Sequence, residues 1–170
     1  MPYCFPFYVV LGLTSVRTLT HFRMRWSVAA VLLCWAAPAE AANTCTISAT
    51  AISFGSYDVF SATALTGTGT ITFACLQSKP ITVSLSAGNS GSYGTRNLNN
   101  GSNTLQYNLY TTAGLTSVWG DGTGSTAVYS DSAPPKNNVN VNVTVFANVP
   151  AGQDVVAGTY TDSIIATINF

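Results

Sequence analysis

The sequence predicts an antiparallel β-sandwich, an all-β fold, for the greater part of its 170 residues. Apolar side chains recur at every second position in short runs, Gly, Asn and Pro punctuate those runs, and no stretch sustains a helical period. The last run, Gly158-Thr-Tyr-Thr-Asp-Ser-Ile-Ile-Ala-Thr-Ile-Asn-Phe170, alternates strongly and has nothing after it to pair with. Ile164, Ala166, Ile168 and Phe170 share one face of such a strand, and an apolar strand with an unpaired side invites another chain to add to it. The pattern points to an assembly unit rather than a catalyst.

Residues 1–41 read as a signal peptide with an over-extended N-terminus, outside the folded domain. Met24-Arg25 is a basic start, Ser27 to Ala37 an apolar core, and Ala39-Glu40-Ala41 a small-x-small cleavage site. The apolar core is shorter than the ~20 residues a membrane span needs, so an integral membrane protein is not expected. A second apolar run, Phe5 to Leu13, precedes Met24, and the simplest reading takes Met24 as the true start. Cys34 follows Leu33, where a lipoprotein signal requires a small residue, and goes with the removed peptide. Residues 42–170 then form one domain, large enough to bury about two thirds of the surface its unfolded chain exposes.

Within that domain Cys45-Thr-Ile-Ser-Ala49 opens the first strand, and Ile52 with Phe54 continue it up to the break at Gly55-Ser56. Thr70-Ile-Thr-Phe-Ala-Cys75 alternates cleanly and puts Ile71, Phe73 and Cys75 on one face. Ile81, Val83 and Leu85 make the next strand, which ends at Ala87-Gly88-Asn89. Leu105, Tyr107 and Leu109 make another, entered through Asn99-Asn100-Gly101-Ser102, whose Asn-Gly pair tolerates the positive φ of a tight turn. Val139, Val141, Val143 and Val145 alternate with Asn140, Asn142 and Thr144, one face dry and one wet. With the final run these make six principal strands, and Thr111 to Pro135 and Ala147 to Ala157 are loops.

Past residue 41 the charges are Lys79, Arg96 and Lys136 against Asp58, Asp121, Asp131, Asp154 and Asp162. No basic patch is present to neutralise phosphates, so nucleic acid is not an expected partner. Cys45 and Cys75 are the cysteines that survive cleavage, an even number in an oxidising compartment, with no Cys/His cluster to suggest a metal. A bond between them ties the first strand to the Thr70–Cys75 strand from inside and removes roughly 3–4 kcal/mol of unfolded-state freedom. The single histidine, His21, lies in the removed segment, so no Ser-His or Cys-His pair can form. Asp121 and Asp131 are a conceivable carboxylate pair, but Asp between glycines is usually turn chemistry. The calcium pattern D-x-D-x-D-G is absent as well, and neither an enzyme nor a cofactor is expected.

The ordered set Cys45-Thr-Ile-Ser-Ala, Phe54-Gly-Ser-Tyr-Asp58, Thr70 to Cys75, Arg96-Asn-Leu98, Leu105-Gln-Tyr-Asn-Leu-Tyr110, Trp119-Gly-Asp-Gly-Thr123 and Ala157-Gly-Thr-Tyr-Thr-Asp162 resembles a spore coat protein U domain. That family is similar to the subunits of archaic, Csu-type chaperone-usher pili. The resemblance implies an immunoglobulin-like sandwich lacking its seventh strand, with a hydrophobic groove between the first and last strands. It implies a periplasmic chaperone that fills the groove, an outer-membrane usher that exchanges this for the N-terminal extension of another pilin subunit, and a surface fibre that supports adhesion and biofilm formation. Gly158 and Phe170 resemble the glycine and terminal aromatic such pilins carry. Groove and chaperone contacts are expected at Ile47, Ile164, Ala166, Ile168 and Phe170.

A donor strand needs about ten or more alternating residues ahead of the first cysteine. Cleavage after Ala41 leaves Ala42-Asn43-Thr44, so a terminal or tip-proximal subunit, a minor component, or a member that assembles differently is expected. A self-associating coat protein is the structural alternative, and a carbohydrate-binding module the rival from another class. For the latter, Tyr110, Trp119 and Tyr129 are the candidate surface contacts. Packing over the sandwich edge is the preferred reading of Trp119, since burial is the commoner use of a lone Trp. Arg96 is expected to be a loop residue that bonds backbone carbonyls rather than a ligand, and Asp162 to fix the start of the final strand.

Overall fold

Period-two patterning becomes eight strands: β1 (Cys45–Ala49), β2 (Leu65–Cys75), β3 (Ile81–Leu85), β4 (Arg96–Asn100), β5 (Asn103–Tyr110), β6 (Tyr129–Asp131), β7 (Val141–Val149) and β8 (Ala166–Asn169). The computed structural model describes residues 44–170, so the signal-peptide reading of 1–41, with Cys34 and His21, lies outside the described residues. One sheet has five strands in the order β1-β2-β7-β5-β4, the other three in the order β6-β3-β8. Every ladder within them is antiparallel, as expected of the sandwich.

The core follows from strand parity. Ile71, Phe73 and Cys75 of β2, Val145, Ala147 and Val149 of β7, Leu105, Tyr107 and Leu109 of β5, and Ile81, Val83 and Leu85 of β3 are all buried. Cys45 stands directly opposite Cys75 in the β1–β2 ladder, and the two form the expected disulfide across a Cα–Cα distance of 4.1 Å. On the wet face of β2 and β7 the Thr72 hydroxyl donates to Asn142 Oδ1 at 2.8 Å.

Several boundaries differ from the sequence reading. Arg96–Asn100 is a strand although it carries a single apolar residue. It is held by a hairpin to β5 whose two-residue turn starts at Gly101, φ 59°. Tyr129–Asp131 is a three-residue strand inside the supposed long loop, and Ala147–Val149 extends β7 instead of starting a loop. Val139 lies outside β7 and is exposed. The first strand stops at Ala49 rather than continuing through Ile52 and Phe54. Inward positions of β1 are odd-numbered, so an unbroken strand would turn Ile52 and Phe54 to solvent; the chain leaves the ladder and packs both against the core.

Arg96 clamps one end of the sandwich. Its side chain is fully buried, and its Nε and Nη2 donate to the Ser86 carbonyl at 3.1 and 2.8 Å. Nη2 also donates to the Trp119 carbonyl at 2.7 Å, and Nη1 to Asn108 Oδ1 at 2.6 Å. The Tyr93 ring lies 5.4 Å from the guanidinium. Burial pulls its pKa below the ordinary arginine value, and the fork of donors keeps the charge tolerable by giving it oxygens in several directions. Asn108 in turn donates to the Tyr93 and Gly94 carbonyls, so one network joins β4, β5, the end of β3 and the Trp119 loop.

Arg96→Lys is expected to lower unfolding free energy in urea by about 2–4 kcal/mol, because an ammonium cannot span these acceptors and leaves buried carbonyls unpaired; a change under about 0.5 kcal/mol would contradict the clamp.

Candidate functional site

The final segment changes sheets. Thr161 bridges Asn99 of β4, with both main-chain bonds formed at 2.8 and 3.0 Å, and five residues later the chain joins β3 as β8. Asp162 sits at that crossing, as the sequence suggested. Its Oδ1 accepts from the Asn89 and Ser163 amides at 2.8 and 2.7 Å, and its Oδ2 from the Tyr107 hydroxyl at 2.7 Å. Burial first, and then this bond to Asp162, push the Tyr107 hydroxyl well above the usual phenol range.

β1 is the outer strand of the large sheet and β8 of the small one, and among the described residues neither has a strand partner on its other side. Where β1 ends at Ala49 and β8 begins at Ala166 lies a groove of about 230 Å³. Ala49, Ala51, Ile52 and Phe54 form one bank, and Asp162, Ile164 and Ala166 the other. Ile71, Leu85, Leu109 and Val145 make the floor, and Leu98 and Tyr107 also line it. Alanine stands at positions 49, 51 and 166 of the two banks, so little side-chain volume projects there. The void exceeds the ~150 Å³ that suffices for benzene in a dry cavity, so it has room for a large apolar side chain.

Main-chain direction exposes polar groups along the β8 bank. The Ile165 carbonyl accepts from the Ser86 amide at 2.9 Å, and the Ile165 amide donates to Ser86 Oγ at 2.9 Å. By antiparallel alternation, the N–H and C=O groups of Ile164, Ala166 and Ile168 point away from β3, toward the gap.

Of the residues expected at a groove, Ile164 and Ala166 line it. Ile47 and Ile168 are half-buried against the core beside it, and Phe170 is 55% exposed beyond the end of β8. As groove residues, Ala49 and Ala51 were missed, although their small size at odd positions was the available signal, and so was Tyr107, for which the local pattern gave none; Asp162 was expected to fix the last strand but not to line the groove.

The candidate aromatic surface is corrected at its centre. Trp119 is fully buried, and its Nε1 donates to the Val83 carbonyl at 2.9 Å, so packing is its role. Tyr129 is half-buried between Phe73 and Trp119, with ring centroids 6.1 and 6.3 Å away, and burial raises its pKa. Tyr110 is half-buried at the end of β5, where it bridges Val118. Asp121 Oδ1 accepts from the Thr123 amide and hydroxyl, which pulls its carboxyl below the usual range, while Asp131 Oδ1 accepts from the Ala133 amide. Each carboxylate closes its own turn.

Comparison with known proteins agrees with this architecture. The Spore Coat Protein U domain family matches residues 31–167. This chain belongs to the spore coat protein U family. Protein U of Myxococcus xanthus is 32% identical to this spore coat protein U domain over 132 residues, covering 70% of this chain and 71% of the relative. Among solved structures, one similar chain is in the CsuC-CsuE chaperone-tip adhesion subunit pre-assembly complex from archaic chaperone-usher Csu pili of Acinetobacter baumannii. It superposes with a TM-score of 0.55 at 21% identity over 76% of this chain, and this chain spans 40% of it. The likeness extends to the fold, a sandwich of almost pure β-structure.

In this spore coat protein U domain, Ala166→Leu is expected to fill part of the void and raise the unfolding free energy of the isolated protein by about 1–2 kcal/mol. Destabilisation in urea would mean the gap between β1 and β8 is already filled.

Proposed function

We propose that this domain is a strand-accepting structural subunit of a surface fibre of the archaic chaperone-usher type, without catalytic activity. The single observation that carries the reading is the groove between β1 and β8, apolar in its floor and edged by the outward main-chain groups of Ile164, Ala166 and Ile168. Such a groove suits β-augmentation, in which an added strand gains backbone bonds from the bank and inserts alternate side chains into the floor. Each fully buried anchor contributes roughly 1.5–3 kcal/mol before ordering costs, so a strand with several anchors leaves slowly without any covalent bond.

A periplasmic chaperone, an outer-membrane usher and other pilin subunits are the partners this reading names, with export through the periplasm to the cell surface and adhesion as the outcome. Family membership supports it, as does the fold shared with a chain of a chaperone-subunit complex. Among the described residues no helix is long and apolar enough to cross a membrane. The coat-protein alternative draws support from the family's name and uses the same groove, with a second copy of this chain as the donor. The sugar-binding alternative loses its central stacking residue with Trp119 buried.

Expressed alone in the periplasm the subunit is expected to aggregate or exchange strands, and co-expression with the cognate chaperone to yield a soluble one-to-one complex. Ile164→Asp or Ile168→Asp is expected to cut incorporation into fibres at least a hundredfold, because an unpaired carboxylate then faces the apolar groove. A monodisperse wild-type monomer that ignores chaperone, or unchanged incorporation of both variants, would sink the proposal.

A further inference from the structure

One bank of the groove, Thr50 to Phe54, is chain that has left the sheet. Past Ala49 the main chain keeps one ladder bond, Thr50 amide to Thr70 carbonyl at 2.9 Å, while the Thr70 amide is met by the Thr50 hydroxyl at 2.8 Å. From Ala51 to Tyr57 no main-chain hydrogen bond joins the segment to another described residue. Its hold is by side chains: Ile52 and Phe54 pack on the core, and Phe54 meets Tyr107 edge-on with centroids 6.0 Å apart.

β2 is shaped to receive them. Gly67 and Gly69 occupy core-facing positions of that strand, in line with Ile71 and Phe73. A Cβ on Gly69 would stand 2.6 Å from Ile52 Cγ1, and one on Gly67 would stand 3.0 Å from Ile52 Cγ2 and 3.3 Å from Phe54 Cδ1. Two missing side chains in the core face of β2 thus make the trough that these two residues fill. Together with the parity change between Ala49 and Ile52, this sends the chain inward where an unbroken β1 would have stayed on the sheet edge.

We propose that Thr50–Phe54 is a movable bank of the acceptor groove, held by Ile52 and Phe54 over Gly67 and Gly69, that an incoming strand displaces. The inference rests on the strand-accepting reading above. What the segment leaves open has room for a large side chain, whereas an added strand presents alternate side chains about 7 Å apart along its length, so a strand longer than a few residues meets Ile52 and Phe54. The element that yields is the one without a main-chain ladder. Until then the segment covers part of the apolar floor, which limits premature association.

The test is capture of a dye-labelled eleven-residue peptide of alternating apolar and polar residues by the full-length exported protein, followed by fluorescence anisotropy. Wild type is expected to capture it slowly, and Ile52→Ala with Phe54→Ala at least tenfold faster. A rate that is equal or slower in the double variant overturns the displacement. Because that variant removes core packing, Phe54→Trp provides a second reading: its emission is expected to shift to the red as peptide binds, over the constant signal of buried Trp119. Peptide bound with no shift also overturns it. Capture by neither wild type nor variant instead removes the acceptor reading itself, and this inference with it.

Discussion

A sandwich is closed only when the outer strands of its two sheets are joined or covered, and here β1 and β8 flank a seam with no strand between them among the described residues. That one missing ladder organises the rest. It leaves the main-chain groups of Ala166 and Ile168 pointing into a gap, half-exposes residues that parity directs inward, and lets Ala49 and Ala166 border a void over Ile71 and Leu109. Unpaired strand edges are ordinarily blunted by charge, proline or covering structure. The β8 bank carries instead Ile164, Ala166 and Ile168, a pattern suited to being joined.

An incomplete fold needs bracing elsewhere, and the braces sit around the seam. The Cys45–Cys75 disulfide fixes β1 to β2 at one end, so the outermost strand of the large sheet does not depend on a neighbour for its position. At the other end Arg96 gathers carbonyls from the end of β3 and the Trp119 loop, and Asp162 ties the crossing segment to Asn89 and Tyr107. The Trp119 indole adds a tie to Val83 in the small sheet. Polar side chains satisfied in this way hold the two sheets in register where apolar contact is interrupted.

Much of this was legible in the residues because it follows from local alternation. Phe73 and Cys75, Val83, Leu109 and Val145 lie where period two puts them, and the disulfide joins the two cysteines that counting singled out. Arg96 bonding carbonyls and Asp162 anchoring the last strand were also anticipated. What escaped was non-local. Arg96–Asn100 forms a strand because β5 lies beside it, not through its own apolar pattern. Burial of Trp119 was the preferred reading, but the route to it, a Gly-rich loop folding back between β3 and β5, is one that no short window encodes. Ile52 and Phe54 looked like more of the first strand; their even parity was the sign that the chain had to leave it.

On this reading the seam is open along β8 in the isolated subunit and closed by a strand from outside. Amide hydrogen exchange read residue by residue at Ala166 and Ile168, in the isolated protein and in its assembled form, tests it most directly. The account predicts rapid exchange at both amides alone and protection of at least a hundredfold on assembly, with Thr167 and Asn169 on the β3 side protected in both states. Strong protection of Ala166 and Ile168 in the isolated subunit would contradict it, because the chain would then be completing its own sandwich.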